Sequence, residues 1–247
     1  MNMIEKKLLF ISGVARSGTT ALANLINLHP KALVGVERYF REIQSETLTL
    51  SDFEKRAFLG DGPKAPERLR FYLGDQSLEK RYDDAVYVGD KHPGLFRHFK
   101  FFFEQFPSAR HLYILRDPID VVMSYEARKK RDPKRWPRGW REGLAEWNDS
   151  LRRVASLPID KIGRCQILSY DTVFSDLNEV NRVFADLELD PIAAEPFQPI
   201  LEGYRYFAGR KTSCPKKIAD AVEAGADWSS YKLLKRIAAD QREARVG

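Results

Sequence analysis

The chain has 247 residues, 43% of them apolar, and a net charge of +6. That length buries a substantial core as one α/β unit, and the apolar fraction excludes a disordered chain. No stretch approaches the ~18 consecutive apolar residues of a membrane span, and two cysteines make no disulfide framework.

The first element is the apolar run Lys7–Ser12, read as a buried strand. The loop Gly13-Val14-Ala15-Arg16-Ser17-Gly18-Thr19-Thr20 follows, and a helix runs from Thr20 through Ile26 to a stop at His29-Pro30. Strand, glycine loop and helix in that order make a phosphate-binding loop. Gly13 and Gly18 let the backbone approach an anion closely, and free N–H groups at the helix start attract negative charge. Arg16 adds a fork-shaped cation; Ser17, Thr19 and Thr20 add hydroxyls. The triphosphate version of the loop has a lysine where Thr19 stands. The loop therefore suits a nucleotide whose 5′ end is not a triphosphate. An ordinary strand-to-helix turn with polar filler is the bland alternative.

Further strands are expected at Ala32–Val36, Ala85–Val88, His111–Leu115 and Arg164–Leu168, with helices between them. This alternation marks a P-loop-containing three-layer α/β fold, a central mostly parallel sheet flanked by helices. One domain is expected over 1–247. Residues 39–84 read as a substrate-side insertion, with Ser51–Leu59 helical and a loop at Pro63–Pro66, and 190–247 as a C-terminal helical part. After the fourth strand comes Arg116-Asp117-Pro118: Pro118 suits the first helical turn, and Asp117 suits an N-cap. Arg116 and Ser124 on that helix could face one anion, although Arg-Asp-Pro is equally a capping device. Trp140, Leu144, Trp147, Leu151 and Val154 form one stripe of a helix at Trp140–Ser156, read as core packing. The basic run Arg128–Arg141 is a solvated loop, a gatherer of an anionic donor or acidic acceptor, or a nucleic-acid contact. Cys165 reads as an inert core thiol, and the four histidines lack zinc-ligand spacing.

Together these clusters resemble the 3′-phosphoadenosine-5′-phosphosulfate-dependent sulfotransferase family, in its bacterial, carbohydrate and tyrosylprotein branches. Arg16-Ser17-Gly18-Thr19-Thr20 resembles the 5′-phosphosulfate loop, and Arg116-Asp117-Pro118 with Ser124 the 3′-phosphate motif. Gly89-Asp90-Lys91-His92-Pro93 resembles a "Glu-Lys-Thr-Pro" segment, with Asp90 and His92 as departures. Ser169-Tyr170-Asp171 resembles the "Tyr-Glu-Asp-Leu" segment that flanks the adenine. The likeness spans roughly 7–175. The hormone-type branch ends in an arginine-lysine-glycine segment, whereas Arg210-Lys211-Thr212 lacks the glycine, so no role is carried over to it.

The resemblance implies sulfonyl transfer to a hydroxyl acceptor, a glycan or a small-molecule alcohol or phenol, with 3′-phosphoadenosine-5′-phosphate as the product of the donor. Ala15, Arg16, Ser17, Gly18, Thr19, Thr20, Arg116, Ser124 and Tyr170 would hold the donor. Glu37, after His29-Pro30 and the second strand, would be the general base; the alternative is a surface carboxylate paired with Arg38 or Arg41. Lys91 would assist Arg16 on the leaving oxygen, or else serve as an ordinary ion pair or helix cap. No metal is expected, nucleic acid is disfavoured as a partner, and the oligomeric state is not legible. The early first strand leaves no room for a signal peptide or membrane stalk, so a cytoplasmic enzyme is expected. Two rival classes stay open. A P-loop nucleoside or small-molecule kinase is disfavoured by Thr19. A non-catalytic anion- or nucleic-acid-binding module would work through the basic run.

Overall fold

The computed structural model describes residues 6–60, 77–209 and 213–243. The expected loop at Pro63–Pro66 and the segment Arg210-Lys211-Thr212 lie outside them. Five strands, β1 (Lys7–Ser12), β2 (Ala32–Val36), β3 (Tyr87–Lys91), β4 (Arg110–Leu115) and β5 (Cys165–Ser169), make one all-parallel sheet in the order β2-β3-β1-β4-β5.

The first half of the chain supplies α1 (Thr19–Ile26), α2 (Phe40–Gln44), α3 (Lys55–Leu59), α4 (Leu78–Asp84), α5 (Phe99–Gln105) and α6 (Pro118–Arg131). The second half supplies α7 (Trp140–Ala155), α8 (Ile159–Ile162), α9 (Tyr170–Val173), α10 (Leu177–Asp186), α11 (Ala194–Gly209), α12 (Lys216–Gly225) and α13 (Trp228–Glu243). Strand side chains alternate between faces, so Leu8 and Phe10 of β1 point one way while Leu9 and Ile11 point the other. The first pair joins Phe102 of α5, Val121 of α6, Trp147 of α7 and Leu234 of α13. The second pair joins Leu22 and Ile26 of α1, Val183 and Phe184 of α10 and Phe197 of α11. Both faces of the sheet are thus covered, as parallel strands require.

β3 departs from expectation. It runs from Tyr87 to Lys91, whereas the apolar run ends at Val88. Its polar half, Gly89-Asp90-Lys91, is buried between β1 and β2. Only glycine fits at 89, because a Cβ there would sit 1.7 Å from the Leu9 carbonyl oxygen. The helix expected over Ser51–Leu59 is a 3₁₀ turn, Leu50–Phe53, followed by α3. The break is local: Asp52 turns back to accept from the Thr49 N–H at 2.8 Å, and Glu54 is extended. Trp147, Leu151 and Val154 of the α7 stripe are core, as read, while Trp140 and Leu144 are half-buried against Val122, Ile218 and Val222, and Cys165 is fully buried with its thiol pushed up to about 12 by burial.

Amide side chains cover both sheet edges, where open backbone invites unwanted pairing. On β2, Asn27 donates to the Val34 carbonyl at 2.9 Å and accepts its N–H at 2.8 Å. On β5, Gln241 of α13 accepts from the Ile167 N–H at 2.9 Å and donates to the Cys165 carbonyl at 3.0 Å. Arg81 of α4 closes the other end of α1, its Nη2 donating to the carbonyls of Asn27, His29 and Ala32.

His111 on β4 is a polar group in the core. It is fully buried among Phe10, Phe99 and Phe103, with both ring nitrogens unpartnered. Burial pushes its pKa down to about 3. The unfolded chain binds this proton near the ordinary value of ~6.5. Stability is therefore lost as pH falls from about 6.5 toward 3, by up to ~1.4 kcal/mol per pH unit. In acid denaturation series, His111→Phe should flatten that limb and raise the melting midpoint. A variant with the wild-type pH slope would contradict the assignment. Gly89→Ala should cost roughly 3 kcal/mol or more in urea unfolding; wild-type stability would mean that β1 and β3 are spaced differently.

A cation-lined candidate active site at the carboxyl ends of the strands

The register brings the site together. Val36 and Ile11 both lie opposite Lys91, Ser12 lies opposite Tyr113, and Leu115 lies opposite Ser169. Glu37, Lys91, the loop after Ser12, Arg116 and Tyr170 therefore leave the sheet along one edge. Ligands collect at that edge in open α/β sheets, and β1, flanked by β3 and β4, is where the strand order reverses.

The loop after β1 is tightly wound. Gly13 and Gly18 have φ of 154° and 99°, and Arg16 has φ of 67°, rare for a side-chain-bearing residue. Ser17 is fully buried and spends both its N–H (3.1 Å) and its hydroxyl (2.7 Å) on the Val14 carbonyl. Its hydroxyl, expected to face an anion, instead closes the loop. Thr19 is buried at the helix start, while Ala15 and Thr20 are partly exposed. Gly18 is the N-cap of α1 and has no side chain to cap it. The first-turn N–H groups of α1 are left for an external acceptor.

The two anion-binding clusters read separately from the sequence form one cluster here. Arg16 Nε donates to Ser124 Oγ at 3.1 Å, and Arg116 Nη1 donates to the Arg16 carbonyl at 3.2 Å. The Arg116 guanidinium lies 4.0 Å from the centroid of the Tyr170 ring, a cation–π contact. That ring presses on the loop, since a Cβ on Gly18 would come within 2.5 Å of it. Asp117 caps α6 by accepting from the Ile119 N–H at 2.8 Å, so the Arg-Asp-Pro segment is both cap and site wall. Trp147, read only as core, also donates its indole N–H to the Arg116 carbonyl at 3.0 Å. Nothing in a hydrophobic stripe signals that second task.

Arg16 reaches solvent, yet the cleft strips part of its hydration, and this lowers its pKa first. Arg128, Arg131 and Arg116 lower it further by repulsion. The start of the basic run is thus aimed at the loop. Farther on, Arg138 stacks 4.0 Å from Trp136 and pairs with Glu146 at 3.1 Å, which ties the run to α7.

Across the edge, Lys91 Nζ lies 2.5 Å from Glu37 Oε1. The lysine side chain is 1% exposed and the glutamate's 39%. Glu37 therefore pairs with Lys91, not with its neighbours Arg38 or Arg41. Lys91 is an ion pair, as one reading had it, but its partner is the expected base. Next to the pair, His92 is buried and held neutral, its pKa pushed down to about 4 by burial. The exposed ring of Phe40 lies edge-on to it at 5.4 Å.

Among the described residues, no group of three or more His, Cys, Asp or Glu side chains could hold a metal ion, and no helix is long and apolar enough to cross a membrane.

Known proteins resemble this chain in sequence and in fold. Over 174 residues the chain is 26% identical to a protein-tyrosine sulfotransferase of Drosophila melanogaster, covering 68% of this chain and 35% of that protein. The chain thus spans about a third of that relative's length. Two solved structures share the fold. The sulfotransferase domain of the Synechococcus PCC 7002 olefin synthase has a TM-score of 0.54 at 16% identity and covers 95% of this chain and 96% of that one. The sulfotransferase domain of the curacin biosynthetic pathway has a TM-score of 0.53 at 16% identity, covering 96% and 98%. The model of the sulfotransferase family matches residues 9–191, a span that holds the loop, both arginines, the Lys91–Glu37 pair and Tyr170, and the chain belongs to that family.

Proposed function

We propose that this chain moves a sulfonyl group from 3′-phosphoadenosine-5′-phosphosulfate to a hydroxyl acceptor, a glycan or a small-molecule alcohol or phenol. The observation that carries the reading is the pairing, along one sheet edge, of a cation-lined loop with a lysine–carboxylate pair. The donor fits the residues present. The α1 N–H groups and Arg16 suit the 5′ anions, Arg116 and Ser124 suit a 3′-phosphate, and the Tyr170 ring suits an adenine face. When bound, the donor supplies an activated sulfonyl group and a good leaving group, the bisphosphate.

The chain's own residues supply position and charge, as in phosphoryl transfer. Glu37 takes the acceptor's hydroxyl proton as the oxygen attacks sulfur. Arg16 and Lys91 stabilise negative charge growing on the oxygen that leaves. Thr19 leaves position 19 without the ammonium that a triphosphate-handling loop uses, which supports this donor over ATP. Residues 39–84 begin beside Glu37 and would form the acceptor side of a single domain. Phe40, exposed next to His92, favours an acceptor with a flat ring. The curated relatives, named for protein tyrosine, make a phenol the first class to test.

Calorimetry with 3′,5′-bisphosphoadenosine against ATP–magnesium tests the donor half. Tight binding of ATP with indifference to the bisphosphate would sink the proposal. Arg116→Ala should weaken bisphosphate binding roughly tenfold or more, the worth of a charged hydrogen bond. Arg16→Ala should lower turnover by about two orders of magnitude or more, read with labelled donor on a panel of phenols, alcohols and glycans. Glu37→Gln should abolish transfer and bind the bisphosphate as the wild type does. Transfer by that variant at the wild-type rate would remove the base from the mechanism.

A further inference from the structure

β3 carries a second buried ionisable group, whose hydrogen bonds both run to the loop that bears Glu37. Asp90 is 1% exposed. Its Oδ2 accepts the N–H groups of Arg38 at 3.0 Å and Tyr39 at 3.3 Å, while Oδ1 is buried without a hydrogen-bond partner. Glu37 donates its own N–H to the Lys91 carbonyl at 2.9 Å. Three successive N–H groups, of residues 37, 38 and 39, thus bond to two successive residues of one strand.

The backbone that they hold is unusual. Glu37 has φ of 55°, a left-handed conformation that a side-chain-bearing residue adopts only where its surroundings impose it. Gly35 makes the space. It lies opposite Asp90 in the register, and a Cβ on it would stand 2.8 Å from Asp90 Oδ1 and 2.6 Å from Arg38 Cδ. Strand, carboxylate and turn are therefore fitted to one another at the point where Glu37 swings toward Lys91.

Resting on the reading of Glu37 as the base, we propose that Asp90 is a positioning residue for the transfer. It locks the Glu37–Tyr39 turn so that the Glu37 carboxylate meets the acceptor's proton at a fixed place. It touches neither donor nor acceptor and takes no proton from them. Its task is to accept two N–H groups, and this needs no charge. Burial raises its pKa to about 7, against the pull of those N–H groups and of Lys91. Oδ2 can accept in either protonation state, so asparagine should serve in its place.

The test compares Asp90→Ala, Asp90→Asn and Gly35→Ala with wild type and Glu37→Gln. Turnover is read with labelled donor and 4-nitrophenol, and donor-site integrity by calorimetry with the bisphosphate. Asp90→Ala and Gly35→Ala should lose roughly 30-fold or more in turnover, the scale expected when a catalytic group is misplaced by less than an ångström. Both should bind the bisphosphate with wild-type affinity, and Asp90→Asn should keep most of its turnover. The Glu37 carboxyl-carbon NMR signal, assigned by its loss in Glu37→Gln, reads the same placement without any turnover. It should move in Asp90→Ala and stay in Asp90→Asn. An Asp90→Ala protein with wild-type turnover and an unmoved Glu37 signal would overturn the inference. So would an Asp90→Asn protein as impaired as Asp90→Ala, which would make the negative charge the working feature. If Glu37→Gln turns over like wild type, the base reading fails instead.

Discussion

An ammonium buried in a parallel sheet needs a counter-charge, and Glu37 supplies it to Lys91 at 2.5 Å. Lysine is almost never fully buried without a partner, and removing one member of a buried pair leaves an uncompensated charge. The requirement shapes everything near it. β3 must run three residues past its last valine to carry Lys91 into the sheet. β2 must end where Glu37 can turn back over that lysine, in a conformation that its side chain alone would not favour. The turn's N–H groups bond back to the Asp90 carboxyl and the Lys91 carbonyl.

On the other side of the edge the balance is reversed. Arg16, Arg116, Arg128 and Arg131 crowd together, and the other three lower the pKa of Arg16 by repulsion. The arrangement is held by the Ser124 hydroxyl, the Arg16 carbonyl and the Tyr170 ring, and by the Asp120 carboxylate 3.6 Å from Arg116 Nε. A group of cations fixed in this way is preorganised for an anion, because the cost of assembling it is met during folding rather than during binding. An anion bound among these cations would relieve the repulsion. The positive half of the edge and the lysine–carboxylate half thus lie side by side at the carboxyl ends of the strands.

The supports of the site also hold the fold. Trp147 packs in the core and fixes the Arg116 carbonyl. Tyr170 follows the last strand and presses on the loop after the first. Glu146 of α7 anchors Arg97 and Arg138, which tie the segment after β3 and the basic run to the same helix. Disturbing α7 would therefore be felt at the donor loop and at the lysine–carboxylate pair together, even though no residue of α7 need touch a ligand.

The sequence by itself determined the layered α/β architecture and four of the five strands to within a residue, and it singled out Arg16, Glu37, Lys91, Arg116 and Tyr170, which the structure brings to one end of the sheet. Apolar runs, glycine spacing and the Arg-Asp-Pro cap are local signals, and local signals survive in a linear reading. β3 was misplaced because a strand buried by its neighbours can carry Gly89, Asp90 and Lys91 without looking apolar. Tertiary structure alone decided who pairs with whom. That Glu37 meets Lys91 and not Arg38 or Arg41, that Arg16 meets Ser124, and that Ser17 turns inward to Val14 all follow from strand register and backbone direction. These bring residues as many as 108 positions apart within 3.1 Å. No spacing rule along the chain contains that information, because it arises only when five parallel strands fix which ends lie side by side.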